Sequence, residues 1–141
     1  MVKYFFSYSP LYQQAGISVI RIIVGLFMVY HGWEVFDSEI MKGYTAQEAF
    51  KRYSSSLPMI YMGKAAELIS GLLLTFGFLT KVAATILMFT MLYIAFFVGN
   101  GKIWYEDQHP FLFVLLALVF FFTGPGKWSV DYLRFNKNKN F

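Results

Sequence analysis

The chain has 141 residues, of which 57% are hydrophobic, 21% aromatic and only 14% charged, too little polar surface to cover a soluble single domain. Its net charge of +4 comes from scattered Lys and Arg, with no basic groove or base-stacking module for nucleic acid, and the lack of cysteine excludes a thiol relay, an iron–sulfur cluster or cysteine-ligated zinc within the polypeptide. Lipid is the better solvent for such a sequence.

Residues 1–16 hold Lys3, several aromatics and two glutamines, without an apolar core leading to a small-residue cleavage site. The first apolar segment is therefore expected to act as an uncleaved signal-anchor. Apolar segments follow at 17–36, 59–79, 82–98 and 109–124, the last built on a short core of 110–123. Since roughly 20 helical residues cross a hydrocarbon core of about 30 Å, each is long enough or nearly so. The runs are continuously apolar rather than alternating, which favours helices over a β-barrel. The expected fold is all-α: one integral membrane domain, a four-helix bundle with a short outer helix in the first loop.

The first span carries Arg21, His31 and Glu34. At 100° per residue His31 and Glu34 stand about 60° apart, whereas Arg21 and Glu34 are about 140° and roughly 20 Å apart, so Arg21 cannot be the partner of Glu34. Arg21 can snorkel to headgroups or pack beside Gly25. The connection 37–58 contains Thr45-Ala46-Gln47-Glu48, a capping-box pattern that predicts a short helix from 46 to about 53, ended by Ser54-Ser55-Ser56-Leu57-Pro58. It reads either as a lid on the outer mouth or as a plain connector.

The second span contains Lys64 and, one turn on, Glu67. A charge at the centre of a spanning helix costs about 2.5–3.5 kcal/mol on insertion scales, so Glu67 is expected to face the bundle interior and a partner. Gly63, Glu67, Ser70, Gly71, Leu74 and Gly77 share one side, a small-residue stripe that lets a neighbouring backbone approach. Gly77 relaxes the helix end and Thr80 is placed to cap the uncharged third span. Gly99-Asn100-Gly101 breaks that span, and the aromatic loop 102–108 leads to His109 and Pro110, which suits a first helical turn. Gly124-Pro125-Gly126 ends the last span, and Trp128 and Tyr132 suit an interfacial tail in which Ser129 and Asp131 can cap a short turn.

Counting Lys and Arg by side places Lys3, Lys81, Lys127, Arg134, Lys137 and Lys139 with both termini, against Lys42, Lys51, Arg52 and Lys102 opposite, which favours cytoplasmic termini. In that topology His31, Glu34, Lys64, Glu67 and His109 converge on the outer half of the bundle, while Arg21 and Lys81 lie toward the other end. Each has a plain alternative. Glu67 can form a structural ion pair with Lys64 or Arg21, His31 can donate to a backbone carbonyl, Glu34 can be wet at the boundary, and His109 can simply begin a helix.

Together, Arg21-x-x-x-Gly25 with His31-Gly32, Gly63-x-x-x-Glu67-x-x-x-Gly71 with Gly77-x-x-Thr80-Lys81, and the tail Gly124-Pro125-Gly126-Lys127-Trp128-Ser129-Val130-Asp131 resemble the DoxX family of small four-helix membrane proteins. The resemblance covers nearly the whole chain and carries over Arg21, His31, Glu67, Thr80, Lys81, Ser129 and Asp131. The family is named for subunits of an archaeal thiosulfate:quinone oxidoreductase, and some bacterial members are linked to membrane complexes handling oxidative and thiol stress. What it implies here is a protein of the bacterial inner membrane and a quinone-associated redox subunit, with His31 and Glu67 as hydrogen-bond or proton partners of the quinone oxygens. No cofactor is intrinsic and no metal site is expected, so electrons must come from a membrane or peripheral partner. The alternatives are a non-enzymatic assembly, cargo or small-solute factor, and a haem held by His31 and His109, for which His109 looks too superficial. The small-residue stripe also admits a homo-oligomer.

Overall fold

The structure is a computed structural model that describes residues 10–51 and 56–137. Lys3, Arg52 and Lys139, which enter the charge count, and the expected end of the loop helix at Tyr53 lie outside the described residues. Every regular element described is helical: α1 (Gln13–Gly32) with a 3-10 turn (Trp33–Phe36), α2 (Ser38–Tyr44), α3 (Glu48–Lys51), α4 (Leu57–Phe76), α5 (Thr80–Tyr93) running on into a π-helical turn (Ile94–Val98), α6 (Gln108–Thr123) and α7 (Val130–Lys137). Three helical stretches are long and apolar enough to cross a membrane: Gln13–Phe36, Leu57–Phe76 and Thr80–Val98. The fourth apolar helix, α6, has 16 residues and rises about 24 Å.

The most extensive pairing is α1 on α4, and small residues set its closeness. A Cβ on Gly71 would lie 2.6 Å from Val29 N, and one on Gly25 would lie 2.6 Å from Thr75 N, so the two backbones nearly touch. Gly63, at the other end of the predicted stripe, has nothing within 4 Å of its Cβ direction, so the stripe packs α1 only from Glu67 onward. On the opposite side α5 closes against α6 through Ala83, Ala84, Leu87 and Ala117, all nearly inaccessible. Contact between α1 and α6 is sparse, leaving a seam there. The lateral surface is apolar, with Phe27, Phe89 and Phe122 exposed, while Trp33, Trp104 and Tyr105 at one end and Trp128 at the other form aromatic rims.

The first loop departs from the predicted capping box. The expected helix is present as α3 (Glu48–Lys51), but a further helix, α2, precedes it from Ser38, because the Asp37 carboxylate accepts from Glu39 N at 2.9 Å and Ile40 N at 3.1 Å soon after α1 ends. The Thr45 hydroxyl instead donates back to Lys42 O at 2.6 Å, and Glu48 pairs with Lys51. Pro58 does not end the loop; it sits in the first turn of α4, where its missing N–H is harmless. Met41 and Phe50, both buried, pack on Ile60 and pin α2 and α3 over the start of α4 as a lid.

The other end of the bundle is closed by the tail. Thr80 does not cap α5: the Asp131 carboxylate does, accepting from Leu79 N at 2.9 Å and Thr80 N at 2.8 Å. Asp131 therefore does not cap its own helix; Ser129 Oγ does, accepting from Tyr132 N at 3.1 Å. The tail folds back under the α4–α5 hairpin, where Asp131 N donates to Gly77 O at 3.0 Å. That hairpin turns through Gly77 and Leu79, both at positive φ, and at Leu79 this conformation costs about 1–2 kcal/mol.

Arg21 neither snorkels nor pairs with Glu67. It is fully buried, and its guanidinium donates to Pro125 O at 2.8 Å, Trp128 O at 2.5 Å, Thr75 O at 3.1 Å and Leu74 O. The last two are carbonyls from the final turn of α4, an end that favours a cation, and Leu74 O also accepts from Gly77 N at 3.1 Å. The sequence placed Arg21 at the correct end of the molecule, but nothing local reveals that its acceptors come from the tail.

Candidate functional site

The remaining ionisable groups gather at the lid end. Lys64 and Glu67, three apart on α4, face the same side, and Lys64 Nζ lies 3.1 Å from Glu67 Oε2. Glu34, in the 3-10 turn that follows α1, brings its own Oε2 to 3.0 Å from the same ammonium. Lys64 also reaches His31 O at 3.4 Å. One cation thus bridges two carboxylates from two elements. The Glu67 side chain is 5% exposed and that of Glu34 25%, so the pairing grows drier with distance from the lid.

Tyr44, at the end of α2, completes the cluster and has no signal in the sequence. Its hydroxyl donates to Glu34 Oε2 at 2.5 Å, and its ring centroid stands 5.1 Å from Lys64 Nζ. Burial pushes the Tyr44 phenol above its ordinary value, and the hydrogen bond to Glu34 adds to the rise. Only α2, started by Asp37, carries Tyr44 to this point.

His31 and His109 do meet. Their ring centroids are 6.3 Å apart with planes at 71°, so His109, although exposed as its superficial position implies, faces His31. It sits in the first turn of α6, its ring edge-on to Phe113 with centroids 5.1 Å apart. Between the two histidines and the Lys64–Glu67 pair lies a cavity of 180 Å³, also lined by Met28 and Met91. That volume falls well short of a porphyrin. Among the described residues, no three His, Asp or Glu side chains converge closely enough to hold a metal ion.

Two neighbouring hollows give this cavity its context. A groove of 370 Å³ runs down the α1–α6 seam between Ile20, Phe27, Leu112 and Leu116, and His109 and Phe113 line both it and the inner cavity. On the other side of α4, beneath the lid, is a cavity of 260 Å³ between α4, α5 and Tyr44, and Lys64 and Glu67 line that one as well. The ion pair is a partition with a hollow on each face. No hydrogen bond from the described residues reaches Glu67 Oε1, and none engages either imidazole ring. Of the residues singled out in the sequence, Glu34, Lys64, Glu67, His31 and His109 come together, whereas Arg21 stands apart.

The DoxX family model matches residues 16–100, more than half of the chain. The chain belongs to the DoxX family. The matched stretch holds Arg21, His31, Glu34, Tyr44, Lys64 and Glu67, while His109 and the tail follow it. An uncharacterized protein from Haemophilus influenzae is 28% identical over 133 residues, covering 89% of this chain and 96% of its own length. No solved structure matches. DoxX membership and the long apolar helices mark the chain as an integral membrane protein.

Proposed function

We propose that this DoxX protein is a quinone-associated subunit of an oxidoreductase complex, crossing the bacterial inner membrane four times with both termini cytoplasmic. The observation that carries the reading is the continuity at His109 and Phe113, where a 180 Å³ cavity with His31, Lys64 and Glu67 on its wall meets an apolar groove on the lateral surface. An isoprenoid tail fits the groove, and a ring bearing two carbonyl oxygens fits the cavity between the imidazoles and Glu67. Reduction of a quinone takes up two electrons and two protons. The imidazoles can donate hydrogen bonds to the oxygens, and the free oxygen of Glu67 can hold a proton on its way in. Glu34, a quarter exposed, links the interior to an open groove of 770 Å³ beside Trp33 and Asp37, a route for protons from the aqueous side. The electrons come from a partner, because no side chain of this chain carries them.

The test is the small-molecule content of protein purified in mild detergent, measured by mass spectrometry. A quinone at about one per chain, lost in Glu67→Gln and in Phe27→Trp, supports the reading. Only phospholipid in the wild type overturns it and favours an assembly or cargo role, in which Lys64 simply locks α1 to α4.

A further inference from the structure

The cavity beneath the lid is separate from the seam, and the quinone reading makes no use of it. We propose that it binds a small organic ammonium ion, a protonated primary amine with an alkyl or aryl body.

Charge comes first. Among the described residues, Glu34 and Glu67 bring two negative charges to the single ammonium of Lys64, at 3.0 Å and 3.1 Å, so one negative charge is left over. It lies where water is scarce, since Glu67 is 4% exposed. Glu67 Oε1 accepts no hydrogen bond from the described residues and is not fully enclosed, so it is open to a donor from a ligand. A ligand ammonium supplies both the donor and the missing charge in one group.

The walls fit the same ligand. Tyr44, Phe50 and Tyr93 line the cavity, and aromatic faces attract organic cations. Ile60 and Val98 offer the body an apolar surface, and the absent side chain of Gly63 leaves open space, with nothing within 4 Å of where its Cβ would be. Other classes fit worse. An anion would add a third negative charge beside two carboxylates, and a neutral carbonyl compound has no proton to offer Glu67. At 260 Å³ the cavity is small for a lipid but sufficient for a phenylalkyl amine.

The experiment uses the full chain in phosphatidylcholine nanodiscs, whose lipid carries no primary amine, titrated with 2-phenylethylamine and with its neutral counterpart 2-phenylethanol. The expected result is saturable binding of one amine per chain, with the alcohol at least about tenfold weaker, as loss of a charge-assisted hydrogen bond and a cation–π contact implies. Glu67→Gln weakens amine binding to a similar degree. Gly63→Leu fills the lid cavity without touching the seam, so it abolishes amine binding while the elution profile, thermal midpoint and quinone content stay at wild-type levels. Equal binding of alcohol and amine, amine binding that survives Gly63→Leu, or no saturable binding overturns the proposal. Because Gly63 lines the lid cavity and not the seam, failure here leaves the quinone measurement standing on its own.

Discussion

Lys64 Nζ lies 3.0 Å from Glu34 Oε2, joining two elements whose sequence positions are thirty residues apart. The same ammonium holds Glu67, so removing it leaves Glu67 without a counter-charge in a dry place and Glu34 unpaired at its wetter edge. Lys64→Met is expected to cost about 3–5 kcal/mol. The companion Lys64→Met with Glu67→Leu removes the buried charge as well and recovers most of the loss. Thermal unfolding in detergent, followed by tryptophan fluorescence, compares the two. A double variant as weak as the single one contradicts the charge explanation.

Tyr44 holds Glu34 from the lid, and its phenol sits above its ordinary value through burial and that hydrogen bond. Tyr44→Phe is expected to lose about 1.5–3 kcal/mol near neutral pH, the range for a hydrogen bond to a charged group. The sign of the pH dependence follows from the raised value: the contribution is complete below the unfolded phenol's pKa of about 10 and disappears as pH climbs through the folded one. The gap between wild type and Tyr44→Phe therefore narrows only in strong alkali. Chemical denaturation from pH 7 upward measures it.

Arg21 fills a cage of four carbonyls that a lysine cannot match, because a single ammonium lacks the planar fork. Arg21→Lys is expected to cost at least about 2 kcal/mol, from orphaned buried acceptors alone. It should also loosen the tail, so limited proteolysis near Lys127 becomes faster than in wild type. Unchanged cleavage would show that the tail is held by other contacts.

Asp131 caps α5 from 51 residues beyond Thr80 in the sequence. Asp131→Ala is expected to destabilise by about 1–2 kcal/mol, as loss of a cap does elsewhere. The effect should be read from thermal midpoints alongside Thr80→Val, which removes a buried hydroxyl that has no partner among the described residues and so costs little or stabilises. A larger loss in Thr80→Val than in Asp131→Ala would reverse the assignment of the cap.

The two ends of the glycine stripe are expected to respond oppositely. A Cβ at Gly71 meets Val29 N at 2.6 Å and Gly25 O at 2.9 Å, both backbone atoms that cannot yield without separating the helices. Gly71→Ala should lower the yield of folded protein sharply, by about 1–3 kcal/mol of overpacking. Gly63→Ala meets open space and should be neutral or gain up to about 1 kcal/mol from helix propensity. Folded fractions by size-exclusion chromatography separate the two.

What could be read in the sequence was what lies within one helix or follows from composition. The apolar segments, the Lys64–Glu67 pairing at three residues, the mismatch of Arg21 with Glu34 and the αL end at Gly77 all depend on local geometry. The contacts made at long range could not be read. Tyr44 reaches Glu34 from α2, a helix started by Asp37 that the Thr45–Glu48 pattern, which marks α3, does not signal. Asp131 and Thr80 were assigned the caps nearest to them, whereas Asp131 reaches across to cap α5 and Ser129 alone caps the tail helix. His109 was placed at the level of His31, but how closely their rings meet depends on how α6 leans toward α1, which no spacing encodes.

The cage around Arg21 has a consequence for how the protein is made. Two of its acceptors, Pro125 and Trp128, lie 104 and 107 residues further along the chain. During synthesis α1 is therefore delivered to the bilayer with a bare guanidinium that gains Leu74 and Thr75 when α4 arrives and lacks its other two acceptors until almost everything else has been translated. A transcript cut short, or a chain whose tail fails to dock, carries that exposed charge as a mark of incompleteness, available to whatever machinery discards unfinished membrane proteins.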